Sequence, residues 1–170
     1  IKNRRSTTNA KKLVSDRFAT IVGQFPIHLD IAEELAAINR NLRDPLYSNT
    51  PDYLLSRGEY LMGLILQEIL KSEGFNFLDP ADYIFVDGGR IIRDPESRSE
   101  LAKAIESLRG KVIIPGFYGK DSWTDEIRTF PRGGSDITGA LVAEAIDADA
   151  YENWTDVDGV MYADPRIVGR

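Results

Sequence analysis

At 170 residues, 42% hydrophobic and 28% charged, the chain is long enough for one domain with a substantial core and has the composition of a globular protein. The longest apolar run, residues 61–70, is interrupted by Gln67 and Glu68 and falls well short of the ~20 residues a spanning helix needs, so no membrane partner is expected. A net charge of −6 argues against nucleic acid as a partner, and the absence of cysteine excludes disulfides, thiolate catalysis and cysteine metal sites, which fits a cytoplasmic setting.

Lys2, Arg4, Arg5, Lys11 and Lys12 form a basic run without interleaved aromatics and read as a solvated helix start. Leu13, Val14, Phe18, Ile21, Val22 and Phe25 recur at helical spacing until Pro26, and Leu29, Ile31, Ala32, Leu35, Ala36 and Leu42 repeat the pattern. Together they predict a helical hairpin over residues 1–44, followed by a second region over 45–170. His28, at the boundary between the two helices, reads as structural or surface.

Asn49-Thr50-Pro51-Asp52 starts a helix that should run to a stop at Gly74. Gly58 inside it costs about 1 kcal/mol relative to alanine, which asks for a functional or close-packing reason.

Residues 75–78 and 83–86 are apolar, β-prone runs, and Asp87-Gly88-Gly89 reads as a hairpin turn, since no helical pattern follows directly. An amphipathic helix over 97–108 ends at Gly110. A buried strand over 111–115 then leads into Gly116-Phe117-Tyr118-Gly119. The polar stretch 119–131 suits a short hairpin. A helix opening at Ser135 and carrying Leu141, Val142, Ala145 and Ile146 precedes a strand over 151–155. This order predicts a βαβ arrangement with 112–114 and 151–155 as neighbours in a mainly parallel sheet. Trp123 and Trp154 read as packing residues.

Phe130-Pro131-Arg132-Gly133-Gly134-Ser135-Asp136 places an arginine, two glycines, a hydroxyl and a carboxylate before a helix, where free N–H groups and the helix dipole favour an anion. Trp154-Thr155-Asp156-Val157-Asp158-Gly159 and Ala163-Asp164-Pro165-Arg166 follow as an acidic, glycine-containing turn of the kind that borders nucleotides in α/β proteins. With Leu54-Leu55-Ser56-Arg57-Gly58-Glu59 upstream, these boxes in this order resemble the aspartokinases of the amino-acid kinase family over roughly residues 45–170.

The resemblance implies an α/β, amino-acid-kinase-like three-layer sandwich. It also implies ATP-dependent phosphorylation of the β-carboxylate of L-aspartate in lysine, threonine and methionine biosynthesis. ATP and aspartate would be the ligands, Mg²⁺ would bind through the ATP phosphates, no protein metal ligand is named, and the full-length enzyme would be a homo-oligomer. Carried over residue by residue, Arg132 and Asp136 take the catalytic positions. Ser56, Glu59, Phe117, Arg132, Ser135 and Asp136 take the aspartate side, and Thr155, Asp156, Tyr162 and Arg166 the nucleotide side. Met161 stands where many members have a tyrosine, which leaves Tyr162 open between packing and adenosine contact.

The family's Lys-Phe-Gly-Gly phosphate turn is not found in the 170 residues, and the region after Arg166 that leads to ACT domains is also missing. The chain is therefore expected to be an internal part of a kinase domain (residues 1–170), lacking the N-terminal strand and inactive alone. The alternatives are a non-catalytic subunit-contact or ligand-binding fragment, or another amino-acid kinase such as a uridylate or glutamate 5-kinase. The Arg132 and Glu59 boxes favour aspartate.

Overall fold

Asp30 opens the second helix by accepting the Glu33 N–H at 3.0 Å, and Asp94 accepts the N–H groups of Glu96 and Ser97 at 2.9 Å ahead of Pro95. Each satisfies backbone donors that a helix start leaves unpaired. The computed structural model describes residues 4–154, with helices α1 (Arg4–Val22), α2 (Ile31–Asn41), α3 (Pro45–Ser48), α4 (Asp52–Ile69), α5 (Pro95–Ser107) and α6 (Gly134–Ala145). The strands are β1 (Phe75–Phe77), β2 (Phe85–Asp87), β3 (Arg90–Ile91), β4 (Lys111–Ile113), β5 (Tyr118–Asp121) and β6 (Ile127–Thr129).

β1 and β4 pair in parallel, with Asn76 opposite Val112. The other four strands form a sheet in the order β3-β2-β5-β6, in which β2 and β5 run parallel and the two outer pairs are antiparallel. The Gly88-Gly89 turn is the hairpin its sequence predicts, both glycines having positive φ, and residues 119–131 supply the β5–β6 hairpin.

Cross-strand partners share a face of a sheet. Tyr118, Lys120 and Ile127 are therefore on one side of the four-stranded sheet, where Tyr118 and Ile127 pack with Tyr53, Leu61 and Ile65 of α4. Val86 is on the other side, in a cluster with Ile84, Phe130 and the α6 residues Ile137 and Leu141. The result is a helix, sheet and helix layering. Phe18, Ile21 and Val22 of α1 join α2 and α4 in the first cluster, so the N-terminal helices are continuous with the core.

Three expectations are corrected. Residues 151–154, the described part of the expected strand, form no strand, and β4 pairs with β1 instead. Side chains hold this segment along α6: the Tyr151 ring packs on Gly139, and Asn153 Nδ2 donates to Asp136 Oδ1 at 3.1 Å. Trp123 and Trp154 are exposed, at 81% and 89%, rather than packed. Trp123 follows Asp121 in the β5–β6 turn, and the Trp154 indole donates to Glu152. Of the two reasons expected for Gly58, close packing is the one that fails, since among the described residues a β-carbon there would meet nothing within 4 Å. The close approach belongs to Gly63, where a β-carbon would lie 2.8 Å from Pro115 Cγ and 2.9 Å from Phe77 Cε2.

Candidate active site

The Arg132-to-Asp136 box starts α6, and each glycine in it has a steric reason. Gly133 is the residue before the helix and has φ +82, a conformation that costs other residues a β-carbon clash. A β-carbon on Gly134 would lie 2.8 Å from both Phe117 Cβ and Phe130 Cβ. The helix therefore starts in contact with the turn that follows β4.

Among the described residues no side chain caps this start, in contrast to α2 and α5. The first-turn N–H groups of α6 have no side-chain acceptor among the described residues, which suits an anion, and the positive end of the helix dipole points the same way. Arg132, Ser135 and Asp136 are exposed around this end, and Asp136 already accepts the Asn153 amide through Oδ1.

Phe117 forms the opposing wall. Its φ of +62 is a left-handed conformation that a bulky residue rarely adopts, at a cost of about 1–3 kcal/mol. Its C=O accepts the Phe130 N–H at 2.7 Å, and its N–H donates to Thr138 Oγ1 at 3.1 Å. Gly116, just before it, faces Ser135. The structure thus brings Phe117, Ser135 and the Arg132 box to one place.

Glu59 and Ser56 are on α4, and they point differently. Glu59 is exposed, and neither it nor Arg132 forms an ion pair among the described residues. Ser56 is fully buried: its Oγ donates to Tyr53 O at 2.7 Å and accepts from Arg57 Nε and Nη2 at 3.2 and 3.1 Å. It supports the turn that carries Glu59 rather than facing solvent. Asp52, in the first turn of α4, accepts the Thr129 hydroxyl at 2.6 Å and so ties α4 to β6.

Arg57 is the residue that sequence reasoning missed. Its guanidinium is buried among the rings of Tyr60, Tyr53 and Tyr118, 4.4, 4.8 and 5.2 Å from their centroids. A desolvated cation on an aromatic face gains about 2 kcal/mol. Burial is the main cause raising the phenol pKa of Tyr118, the nearby Asp79 carboxylate adds to it, and Arg57 opposes both. Burial likewise raises Tyr53 and Tyr60. Tyrosines at i−4 and i+3 of one arginine were the available signal. The cluster locks α4 onto β5, one residue from Phe117.

A cavity of about 500 Å³ lies behind the box, between the Gly88-Gly89 turn and Phe130, Pro131 and Ile137. Its arginine, Arg128, is neutralised by Glu126 at 2.6 Å, with Asp121 and Asp52 at 3.8 and 3.9 Å, so its polar wall is already satisfied. Thr155, Asp156, Tyr162 and Arg166 lie outside the described residues. Among the described residues no cluster of three or more metal-ligating side chains occurs, and no helix is long and apolar enough to cross a membrane.

Residues 4–170 match the amino acid kinase family. The chain belongs to that family. It is 31% identical over 171 residues to aspartokinase 3 of Bacillus subtilis, an alignment that takes in 96% of the chain and 37% of that protein. The aspartate kinase of Clostridium acetobutylicum superposes with a TM-score of 0.77 at 40% identity, over 95% of the chain and 36% of that structure. Aspartokinase III of Escherichia coli, solved in complex with aspartate and ADP, gives 0.77 at 28% identity, over 96% and 40%. The chain thus spans between a third and two fifths of these relatives and covers part of the kinase domain, in the α/β fold its sequence implied.

Proposed function

We propose that the chain is the aspartate-side part of an aspartokinase catalytic domain, which transfers the γ-phosphoryl group of ATP to the β-carboxylate of L-aspartate. The start of α6, uncapped among the described residues, with Arg132 exposed beside it and Phe117 against it, carries this reading. The attacking carboxylate is ionised at neutral pH, so the site must position and neutralise rather than remove a proton.

In this reading the Arg132 guanidinium takes the substrate α-carboxylate in a forked pair, and the first-turn N–H groups and Ser135 hydroxyl take further oxygens. Glu59 and Asp136 offer negative charge to the α-ammonium, while Phe117 walls the pocket. Ser56 acts through the turn it supports. Thr155, Asp156, Tyr162 and Arg166 are proposed for the nucleotide, and Mg²⁺ would be held mainly by phosphate oxygens and water. The setting inferred from the resemblance is a cytoplasmic homo-oligomer in amino-acid biosynthesis.

The test is to incubate the full-length gene product with L-aspartate, MgATP and hydroxylamine, which converts an acyl phosphate into a coloured hydroxamate. Aspartate-dependent colour is expected. None is expected from the 170-residue chain alone, because it has no Lys-Phe-Gly-Gly turn to neutralise the triphosphate. A full-length enzyme inert toward aspartate overturns the reading.

A further inference from the structure

We propose that Thr138 is a positioning residue for the substrate pocket: its hydroxyl holds Phe117 in the backbone conformation that sets the turn after β4 against the first turn of α6. The inference rests on the reading that Phe117 and Ser135 line the aspartate pocket.

A phenylalanine at φ +62 persists only where its surroundings over-determine it. Two hydrogen bonds do so, the Phe130 N–H to the Phe117 C=O at 2.7 Å and the Phe117 N–H to Thr138 Oγ1 at 3.1 Å. The Thr138 hydroxyl proton is directed elsewhere, to the Gly134 C=O one turn back at 3.1 Å. A lone pair of the same oxygen is thereby aimed at Phe117. The Thr138 side chain is buried, at 3% exposure, and Phe117 is half-buried, so removing the hydroxyl leaves a partly desolvated N–H without its protein acceptor.

The chain of bonds ends at the residues proposed to touch substrate. Gly134, whose C=O orients the hydroxyl, precedes Ser135, and Gly116, which precedes Phe117, packs against Ser135. Thr138 therefore fixes the wall relative to the helix start without reaching the substrate itself. It acts through Phe117.

The test uses the full-length enzyme carrying Thr138→Val, which removes the hydroxyl at similar volume, and Thr138→Ser, which keeps it. Thr138→Ala takes the place of the valine variant should that one not fold. Loss of the hydroxyl should raise the aspartate KM about tenfold and leave the ATP KM within about twofold. The serine variant should return the aspartate KM to within about twofold of wild type. Hydrogen exchange at the Phe117 amide should accelerate with valine or alanine and not with serine.

An unchanged aspartate KM in the hydroxyl-less variants overturns the proposal, as does a parallel rise in both KM values or a failure of serine to rescue. A wild-type enzyme with no aspartate-dependent hydroxamate would sink the substrate reading instead. Exchange at Phe117 would then still decide whether Thr138 holds the turn.

Discussion

Gly116 and Ser135 touch with no room for a methyl group between them: a β-carbon on Gly116 would lie 2.8 Å from Ser135 Oγ and 3.0 Å from Ser135 Cα. The second contact is with backbone, which cannot swing aside. Gly116→Ala should therefore push the turn after β4 away from α6, at an overpacking cost of about 1–3 kcal/mol. Urea unfolding of the variant should show that loss, and aspartate affinity should fall more than ATP affinity. A variant with wild-type stability would mean the two elements separate freely.

Arg132→Ala should weaken aspartate binding without the loss of stability. The side chain is exposed and makes no ion pair among the described residues, so its removal should change stability by no more than about 0.5 kcal/mol. Aspartate binding should weaken by roughly 2 kcal/mol through loss of a charged hydrogen-bond pair, with ATP binding little changed. Glu59→Gln should act in the same direction on aspartate. Steady-state kinetics on both substrates decides it, and an unaltered aspartate KM in either variant would remove that residue from the pocket.

Much of this was readable in the sequence because the signals were local. The apolar periodicity of 97–108 announces a helix, Gly88-Gly89 a hairpin, and Arg132 to Asp136 an anion-friendly helix start. The missed features depend on contacts between distant segments. Nothing near Lys111 to Ile113 says that β1 is the partner, and the apolar look of Tyr151 concealed a ring that packs on α6. Arg57 reads as an ordinary helix-surface arginine until Tyr118 arrives from β5 to close the cage with Tyr53 and Tyr60. Thr138 reads as a neutral helix residue, since its role comes from a strained backbone 21 residues earlier.

Acid should destabilise the fold in a defined window. The Ser97 backbone N–H, then its hydroxyl and the Glu96 N–H, lower the Asp94 pKa. The Trp123 and Thr124 N–H groups lower Asp121, and Arg93 lowers Glu144. Groups depressed in the folded state contribute stability that is present above the ordinary carboxylate range near ~4 and lost as pH falls through it toward their folded values. Asp82 works against this: burial first, then Asp79, raises its pKa, so its contribution is present at low pH and lost as pH rises through the raised value. With three lowered groups against one raised, the unfolding midpoint should fall as pH drops from 5 to about 3. Asp94→Asn, which can still cap, should flatten the dependence. A midpoint that rises on acidification would contradict these assignments.

Gly58 and Gly63 are five residues apart on α4 and should respond to alanine with opposite signs. At Gly63 the added methyl meets Pro115 and Phe77 at 2.8 and 2.9 Å, which would lift α4 off β1 and off the turn before Phe117. That should cost about 1–3 kcal/mol. At Gly58 the methyl meets nothing within 4 Å among the described residues, on a helix face where Leu54 and Leu55 are 56% and 59% exposed. Replacing a mid-helix glycine by alanine there removes backbone entropy from the unfolded chain and should stabilise the 170-residue chain by about 0.5–1 kcal/mol. Chemical unfolding of both variants checks the pair. If Gly58→Ala destabilises the chain, the α4 face is not open as described; if it stabilises the chain yet weakens aspartate binding in the full-length enzyme, the missing side chain at Gly58 serves the approach of ligand or backbone to Glu59.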